Sequence, residues 1–405
     1  MERNDNLVDK IAGWSVAIIA ITRSLAVMHG DTTLGGSTIT KALLLLNYAC
    51  LFCLFPCVVL RKTSNLTAAI SLVFCITFYL LLSFLNSYKN DASFNVVLFA
   101  ILMCFCFTNN IVRLYAFRIF RVFVVLSSLL GIVAFLSYVL SLGIPFRVVP
   151  YYDRIDTSYI DYGFAYLTMK LFSVRLCGLF NEPGYFGTML ALFLIADHVN
   201  LRRIENIVLL IAGILTFSLA FFILVIIALV YKGFHSKRGV LIIVLFAVAL
   251  AVALPNLADK YPEIEALIMR FTFEDGEWVG DNRTTDVVDI TFKQMINNGD
   301  KLFLGFGSGY TNYLDETGTS SYKGFIIDFG LMGSFLIWGL LLVSSLLTIK
   351  PLNDKKYRYF FLLCFFMSIY QRPYVVAITY LVVLLGGVLF CDSNNSIREN
   401  KTIKA

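Results

Sequence analysis

Apolar stretches of about 20 residues recur along the whole chain, separated by short polar segments and by two long ones. A stretch of this length is what an α-helix needs to cross the hydrocarbon core of a bilayer. The pattern predicts spans at 10–29, 40–60, 66–86, 93–110, 119–142, 184–200, 206–231, 239–256, 324–349 and 359–391. The fold class is therefore predicted to be all-α, in a polytopic membrane protein.

Two of these stretches are too long or too polar in the middle for one simple crossing. Residues 206–231 contain the polar sequence 216–218 (TFS), and residues 359–391 contain 371–373 (QRP). We predict two short helices in each, which brings the count to about twelve.

The positions of the basic residues predict the orientation. If the N-terminus is cytoplasmic and the spans alternate, more than half of the 33 Lys and Arg residues fall in short cytoplasmic segments, as the positive-inside rule requires. Both termini are then cytoplasmic, and the long loops 143–183 and 257–323 share the outer face. A single crossing at 206–231 would instead place these loops on opposite sides.

Composition agrees with this class. The 405 residues are 59% hydrophobic and 15% charged, with a mean hydropathy of +0.78, whereas soluble domains average about 25% charged residues. We expect one integral membrane domain over 1–405, because neither long loop has enough apolar residues for a core of its own. The first apolar stretch reads as a retained helix, since no small-residue cleavage site follows it. The nine cysteines are expected to be small buried apolar residues.

The second loop is acidic overall and contains one helical pattern. Val288, Phe292, Met295 and Ile296 recur at helical spacing just after Arg283, which predicts an amphipathic helix at the membrane interface. The sequence 305–310 (GFGSGY) then predicts a flexible turn.

Arg175 and Arg283 are the leading candidates for chemistry. Each lies where an outer loop meets a predicted span, and a guanidinium group can bind two phosphate oxygens at once. Alternatively, each arginine extends to the interface or forms an ion pair within its loop. Arg270 and Lys301 are weaker phosphate-binding candidates on the second loop.

Two further polar residues interrupt apolar sequence. Glu182 could act as a general base toward a sugar hydroxyl, or it could cap the helix that Pro183 begins. Arg372 lies within an apolar stretch and could face a polar cavity or a partner, or simply belong to a loop that joins two short helices.

Other chemistry is disfavoured. The acidic run 274–281 does not have the spacing of a calcium-binding loop, and Gly305, Gly307 and Gly309 follow no strand of a βαβ unit. The three histidines lie outside both long loops. We expect no metal and no cofactor.

Four local features of the chain resemble those of the bacterial O-antigen polymerase (Wzy) family, within the O-antigen polymerase and ligase superfamily. They are 175–187 (RLCGLFNEPGYFG), 215–218 (LTFS), 282–283 (NR) with 304–307 (LGFG), and 320–322 (SSY) with 328–333 (DFGLMG). Their order and their placement around two long loops carry the resemblance. Many relatives have an arginine after the serine of the second feature, where this chain has Leu219.

This resemblance implies a glycosyltransferase of GT-C-like membrane fold in the bacterial inner membrane. Its donor and acceptor would be undecaprenyl-diphosphate-linked oligosaccharides, joined at the periplasmic face among membrane lipids. Arg175 and Arg283 would contact the diphosphates, and Tyr322 would lie near the substrate. A polysaccharide chain-length regulator and a flippase are candidate partners, and no nucleic acid is expected.

Two alternatives stay open. One is the ligase branch, which usually has a histidine at the start of the helix that follows the second loop. The chain has Ser320, Ser321 and Tyr322 there, which favours a polymerase and leaves the general base unassigned. The other is a lipid-linked oligosaccharide flippase, for which repeat-related halves and charged spans would be expected.

Overall fold

A computed structural model describes most of the chain. The described residues are 7–25, 36–59, 109–150, 157–170, 173–234, 273–274, 277–278, 284–299, 301–307, 309–314, 321–352, 354–370, 372–373 and 377–391. The predicted spans 66–86, 93–110 and 239–256 lie wholly or almost wholly outside them, as do Arg270 and Arg283.

Most of the residues that the structure describes lie in helices. The described helices are α1 (Leu7–Ser24), α2 (Gly36–Val59), α3 (Asn110–Val139), α4 (Pro183–Ala196), α5 (Ile204–Leu215), α6 (Leu219–Phe234), α7 (Asp286–Asn298), α8 (Tyr310–Leu314), α9 (Tyr322–Ile349), α10 (Lys355–Ser368) and α11 (Ile378–Phe390). Two of them, α3 and α9, are long and apolar enough to cross a membrane. The number of about twelve spans stays a prediction.

Both long apolar stretches are divided where the polar residues interrupt them. Residues 206–231 form α5 and α6, separated at 216–218. Residues 359–391 form parts of α10 and α11, which flank Arg372 and Pro373. The prediction of two helices in each stretch is confirmed.

The prediction of an all-α chain is wrong for the first long loop. Strands β1 (Arg147–Pro150), β2 (Thr157–Asp161), β3 (Tyr166–Lys170) and β4 (Ser173–Gly178) form an antiparallel sheet in that order. A short ribbon of β5 (Phe273–Glu274) and β6 (Glu277–Trp278) lies in the second loop. The first loop is rich in tyrosine and β-branched residues, which favour strands, and this composition explains why the loop forms a sheet.

The sheet has two apolar faces. One face holds a cluster with one residue from each strand, namely Val149, Tyr159, Tyr166 and Cys177. Leu176 points to the opposite face, where it lies against Gly131 of α3. The face opposite to the cluster therefore contacts α3 at Leu176.

The chain divides into two compact units. Unit 1 contains residues 1–24, 37–122 and 283–405, and unit 2 contains residues 25–36 and 123–282. In unit 1, α11 is buried along its whole length and contacts α1, α9 and α10. In unit 2, α4 is buried almost throughout and contacts α5, α6 and β4. Each unit thus surrounds one short apolar helix.

The predicted amphipathic helix is α7, which begins after Thr285. Val288 and Met295 are buried and Phe292 packs beside them, which confirms that face. Ile296 was predicted to lie on it but is 50% exposed, because it lies one position beyond the stripe that Val288, Phe292 and Met295 define.

Candidate functional site

Arg175 lies on β4 and binds the break between α5 and α6. Its Nε donates to the carbonyl of Thr216 at 2.9 Å, and its Nη2 donates to the carbonyl of Phe217 at 3.2 Å. The last carbonyl groups of a helix accept no hydrogen bond from within the helix, and they carry a partial negative charge. The half-buried guanidinium therefore neutralises the end of α5.

The break itself is compact. Phe217 has a φ of 46°, and the hydroxyl of Thr216 donates to the carbonyl of Gly213 at 2.6 Å. On α4, a Cβ added to Gly187 would lie 2.5 Å from the Cβ of Ser218. Glycine at 187 thus allows α4 to approach the break, and any larger residue would push them apart.

The segment between β4 and α4 is fixed against α3. Gly178 has a φ of +61°, and a Cβ there would lie 2.5 Å from Oγ of Ser127. That same Oγ accepts a hydrogen bond from the N–H of Leu179 at 2.9 Å. Gly178 is therefore required both by its conformation and by this contact.

Glu182 occupies the N-cap position of α4, and Pro183 is the first helical residue. The backbone carbonyl of Glu182 accepts the first hydrogen bond of the helix, from the N–H of Phe186, at 3.0 Å. The carboxylate makes no side-chain capping bond to the residues that the structure describes. The capping hypothesis is thus right about the position and wrong about the bond, while the role of general base stays a prediction.

Arg175 and Glu182 both lie near the thiol of Cys177, which is fully buried. Burial raises the pKa of this thiol to about 12; the hydroxyl of Thr168 and the charge of Arg175 oppose the rise, and the charge of Glu182 adds to it. Since the thiolate is the nucleophilic form of cysteine, Cys177 is inert at neutral pH. Cys50, Cys364 and Cys391 are also buried, as predicted, whereas Cys53 is exposed.

A second polar centre lies in unit 1, where α9 is kinked at Gly330 (φ 67°, ψ 177°). Residues 302–307 lie along this kink and pair with 327–332. Four backbone bonds join the segments: Phe306 N to Ile327 O (2.8 Å), Gly307 N to Asp328 O (3.0 Å), Leu331 N to Leu302 O (2.8 Å) and Met332 N to Phe303 O (3.1 Å). The turn that we predicted to be flexible is therefore held by α9.

Asp328 adds side-chain bonds to this pairing. Its carboxylate, which is buried, accepts from the N–H groups of Gly309 at 3.2 Å and Thr311 at 2.9 Å. In the sequence, Asp328 stands out only as part of the segment 328–333. An acidic residue two positions before a glycine, within an apolar helix, was the available signal.

The remaining candidates are placed as follows. Tyr322 is the first residue of α9 and its ring stacks on that of Tyr370 at 5.2 Å. Arg372 lies two residues after Tyr370, and its backbone N–H donates to the carbonyl of Ser368 at 2.9 Å. Lys301 is exposed in a turn, with a φ of 58°. Tyr322 and Arg372 thus lie close to one aromatic stack, and Arg175 and Glu182 lie close to one thiol.

An ion-pair network joins α7 to the start of α9. Asp289 pairs with Lys293 at 2.6 Å and with Lys323. Partial burial opposes ionisation of Asp289, but the hydrogen bonds and charges of the two lysines outweigh it and lower its pKa. The Asp289 and Lys293 pair has the i,i+4 spacing that a sequence shows, whereas the contact with Lys323 spans 34 residues and needed the fold.

The chain was compared with protein-family models, curated proteins and solved structures, and nothing matches it. The resemblance to the polymerase family therefore rests on the motifs themselves.

Proposed function

We propose that the protein is a polysaccharide polymerase that joins undecaprenyl-diphosphate-linked oligosaccharides at the periplasmic face of the bacterial inner membrane. One observation carries the proposal: the motifs behind the family resemblance form interlocked pairs within each unit. In unit 2, the segment 175–187 contacts 216–218. In unit 1, the segment 304–307 pairs with 327–332.

This pairing supports the resemblance because the motifs lie far apart in the sequence and are in contact within each unit. In this proposal, about twelve helices cross the membrane and both long loops face the periplasm. Helices α3 and α9, which are long and apolar enough to cross a bilayer, are two of these spans.

The proposed reaction is a glycosyl transfer. A hydroxyl oxygen of the acceptor glycan bonds to the anomeric carbon of the donor glycan, and the bond from that carbon to the carrier diphosphate breaks. Negative charge develops on the leaving diphosphate, and guanidinium groups can stabilise it without a metal. Arg175 and Arg283 are the proposed contacts, and Glu182 is the proposed acceptor of the hydroxyl proton.

Arg175 has a positioning role in addition. A guanidinium group has five N–H donors, and two of them bond to the carbonyls of Thr216 and Phe217. These bonds fix the plane of the guanidinium before a diphosphate binds, so that little side-chain entropy is lost on binding.

The test is to delete the gene in its own host and to resolve the surface polysaccharide on a gel. A polymerase deletion leaves a core that bears one repeat unit. A ligase deletion leaves a bare core and polymer on the lipid carrier, and a flippase deletion removes even the single unit. Either of the last two patterns would reject the proposal.

Site assignment is tested by complementing the deletion. Arg175→Ala is expected to lose the polymer ladder, while Arg147→Ala, an exposed arginine on β1 of the same sheet, keeps it. A full ladder from Arg175→Ala at normal abundance would remove Arg175 from the site. For sidedness, a cysteine at Asn312 should react with an impermeant thiol reagent added from the periplasm, and labelling only after lysis would overturn the orientation.

A further inference from the structure

The first turn of α9 has an incomplete cap. Ser321 is the N-cap residue, with φ −93° and ψ 159°, and makes no side-chain capping bond. It is 3% exposed, and its Oγ has no hydrogen-bond partner among the described residues. An N-cap serine normally accepts a bond from an N–H of the first turn, and these N–H groups have no acceptor within the helix.

A cation replaces the acidic residue that a first turn often carries. No acid lies in the first turn of α9, and Lys323 lies in it. The side chain of Lys323 is 21% exposed and is held by Asp289 of α7. Tyr322 is held by its stack on Tyr370 and by the edge of Phe292 at 6.1 Å. The turn is therefore fixed in place by three neighbouring side chains.

Helix α7 provides a contrast within the same unit. Its N-cap residue Thr285 also has an Oγ1 without a partner among the described residues. Its first turn, however, contains Asp286 and Asp289. These carboxylates already place negative charge at the positive end of the helix, so a further anion would be repelled there. The first turn of α9 likewise has an N-cap hydroxyl without a partner among the described residues, but its charged side chain is the cation Lys323 and not a carboxylate.

We propose that the first turn of α9 is a binding site for a phosphate group, which accepts hydrogen bonds from Ser321 Oγ, from Lys323 Nζ and from the N–H groups of the turn. A helix N-terminus with an adjacent cation is a common way to bind phosphate. The nearby carboxylate of Asp289 lowers the affinity of the site for anions. Only an anion that accepts a further hydrogen bond from Lys323, beside the one that Asp289 accepts, is expected to bind. The phosphate belongs either to the carrier diphosphate, in which case the inference rests on the proposed function, or to a phospholipid headgroup.

The test uses the full-length protein in detergent and measures Tm with inorganic diphosphate. A ligand that binds the folded state raises Tm with its concentration. We expect Ser321→Ala to weaken binding about fivefold, as the loss of one hydrogen bond implies, and Lys323→Gln to weaken it at least as much. Ser321→Asp should reduce the shift to whatever binding at the proposed contacts Arg175 and Arg283 gives, because its carboxylate caps the turn and occupies the site. Thr285→Asp is the matched control and should keep the wild-type shift.

Two results would overturn the site. One is a wild-type Tm that no phosphate compound raises at millimolar concentration. The other is a Tm shift in Ser321→Asp that equals the wild-type shift. The Tm of Ser321→Asp without ligand shows whether this variant is folded. Ser321→Ala and Lys323→Gln test the same site with smaller changes to the side chain.

Two further arms distinguish the sources of the phosphate. Saturation by a short-chain isoprenyl diphosphate at a lower concentration than inorganic diphosphate supports the carrier. Loss of the diphosphate shift in micelles that contain phosphatidylglycerol supports a headgroup. If the gene deletion leaves the polysaccharide unchanged while Ser321→Asp still reduces the shift, the proposed function fails and the phosphate site stands.

Discussion

One helix interruption in each unit is held by a charged side chain, and the two side chains have opposite charges. In unit 2, the break at 216–218 presents backbone carbonyls, which accept hydrogen bonds from Arg175. In unit 1, the kink at Gly330 is flanked by Asp328, whose carboxylate accepts from backbone N–H groups of a neighbouring loop. A buried backbone group needs a hydrogen-bond partner. A carbonyl therefore requires a donor such as a guanidinium group, and an N–H requires an acceptor such as a carboxylate.

The two interruptions also differ in how much of the support comes from the backbone. At the break, the guanidinium of Arg175 bonds to two successive carbonyls. At the kink, four backbone hydrogen bonds join 302–307 to 327–332, and Asp328 adds to them. The kink should therefore survive changes of side chain better than the break, but should be less tolerant of changes to its glycines.

The conformations of the central residues lead to the same conclusion. Phe217 has a φ of 46°, which a residue with a side chain can adopt at a cost of about 1–2 kcal/mol. Gly330 combines φ 67° with ψ 177°, a region that is essentially restricted to glycine.

The largest effect is expected from Gly330→Ala. A Cβ at this position would lie 2.3 Å from the carbonyl oxygen of Phe303, in addition to the backbone strain. We expect the free energy of unfolding to fall by about 3 kcal/mol or more, measured by thermal unfolding in detergent. Gly339→Ala on the same helix is the control, since nothing lies within 4 Å of its added Cβ. Equal stability of the two variants would contradict the steric argument.

A smaller effect is expected from Arg175→Ala, because it removes two charge-assisted hydrogen bonds from the break. We expect a loss of about 2 kcal/mol, and a partial recovery in Arg175→Lys, since an ammonium group cannot bond to both carbonyls in the geometry of the guanidinium fork.

Cys177 reports on the same region, because its buried thiol should react with iodoacetamide only when the contacts around β4 and the break open. Peptide-resolved labelling should therefore be faster in Arg175→Ala than in wild type, and unchanged in Arg147→Ala. Slow labelling in all three proteins would show that the break does not depend on Arg175.

The smallest effect is expected from Asp289, which supports the start of α9 in unit 1. Its pKa is lower in the folded state than the unfolded value of about 3.9. The stabilisation is therefore present above the unfolded pKa and is lost as the pH falls through the folded pKa. For a partly exposed network this amounts to about 1 kcal/mol or less.

This contribution is measured from the free energy of unfolding of wild type and of Asp289→Asn, each at pH 6 and at pH 3. The wild type should lose more stability than the variant over this interval. Lys323→Gln should reduce the difference, since it removes one of the two cations. An identical pH dependence in wild type and Asp289→Asn would remove the network as a support.

Local patterns sufficed for several features. The polar residues at 216–218 and 371–373 predicted that two apolar stretches are divided, because such groups are costly within a continuous apolar helix. The spacing of Val288, Phe292 and Met295 predicted α7 and its buried face. The four-stranded sheet was not predicted, although its tyrosines and β-branched residues favour strands, because the alternation of its short strands is much weaker than the apolar pattern of the spans.

The positions of polar and helix-breaking residues are visible in the sequence, and they mark four exceptional segments: 175–187, 216–218, 304–307 and 328–333. The pairing of these segments required the folded chain, because hydrogen bonds between distant residues leave no periodic pattern in the sequence. Arg175 was predicted from its charge and its position at a loop boundary. That its guanidinium binds the carbonyls of Thr216 and Phe217 follows from the packing of β4, α4 and the break, for which no local rule exists.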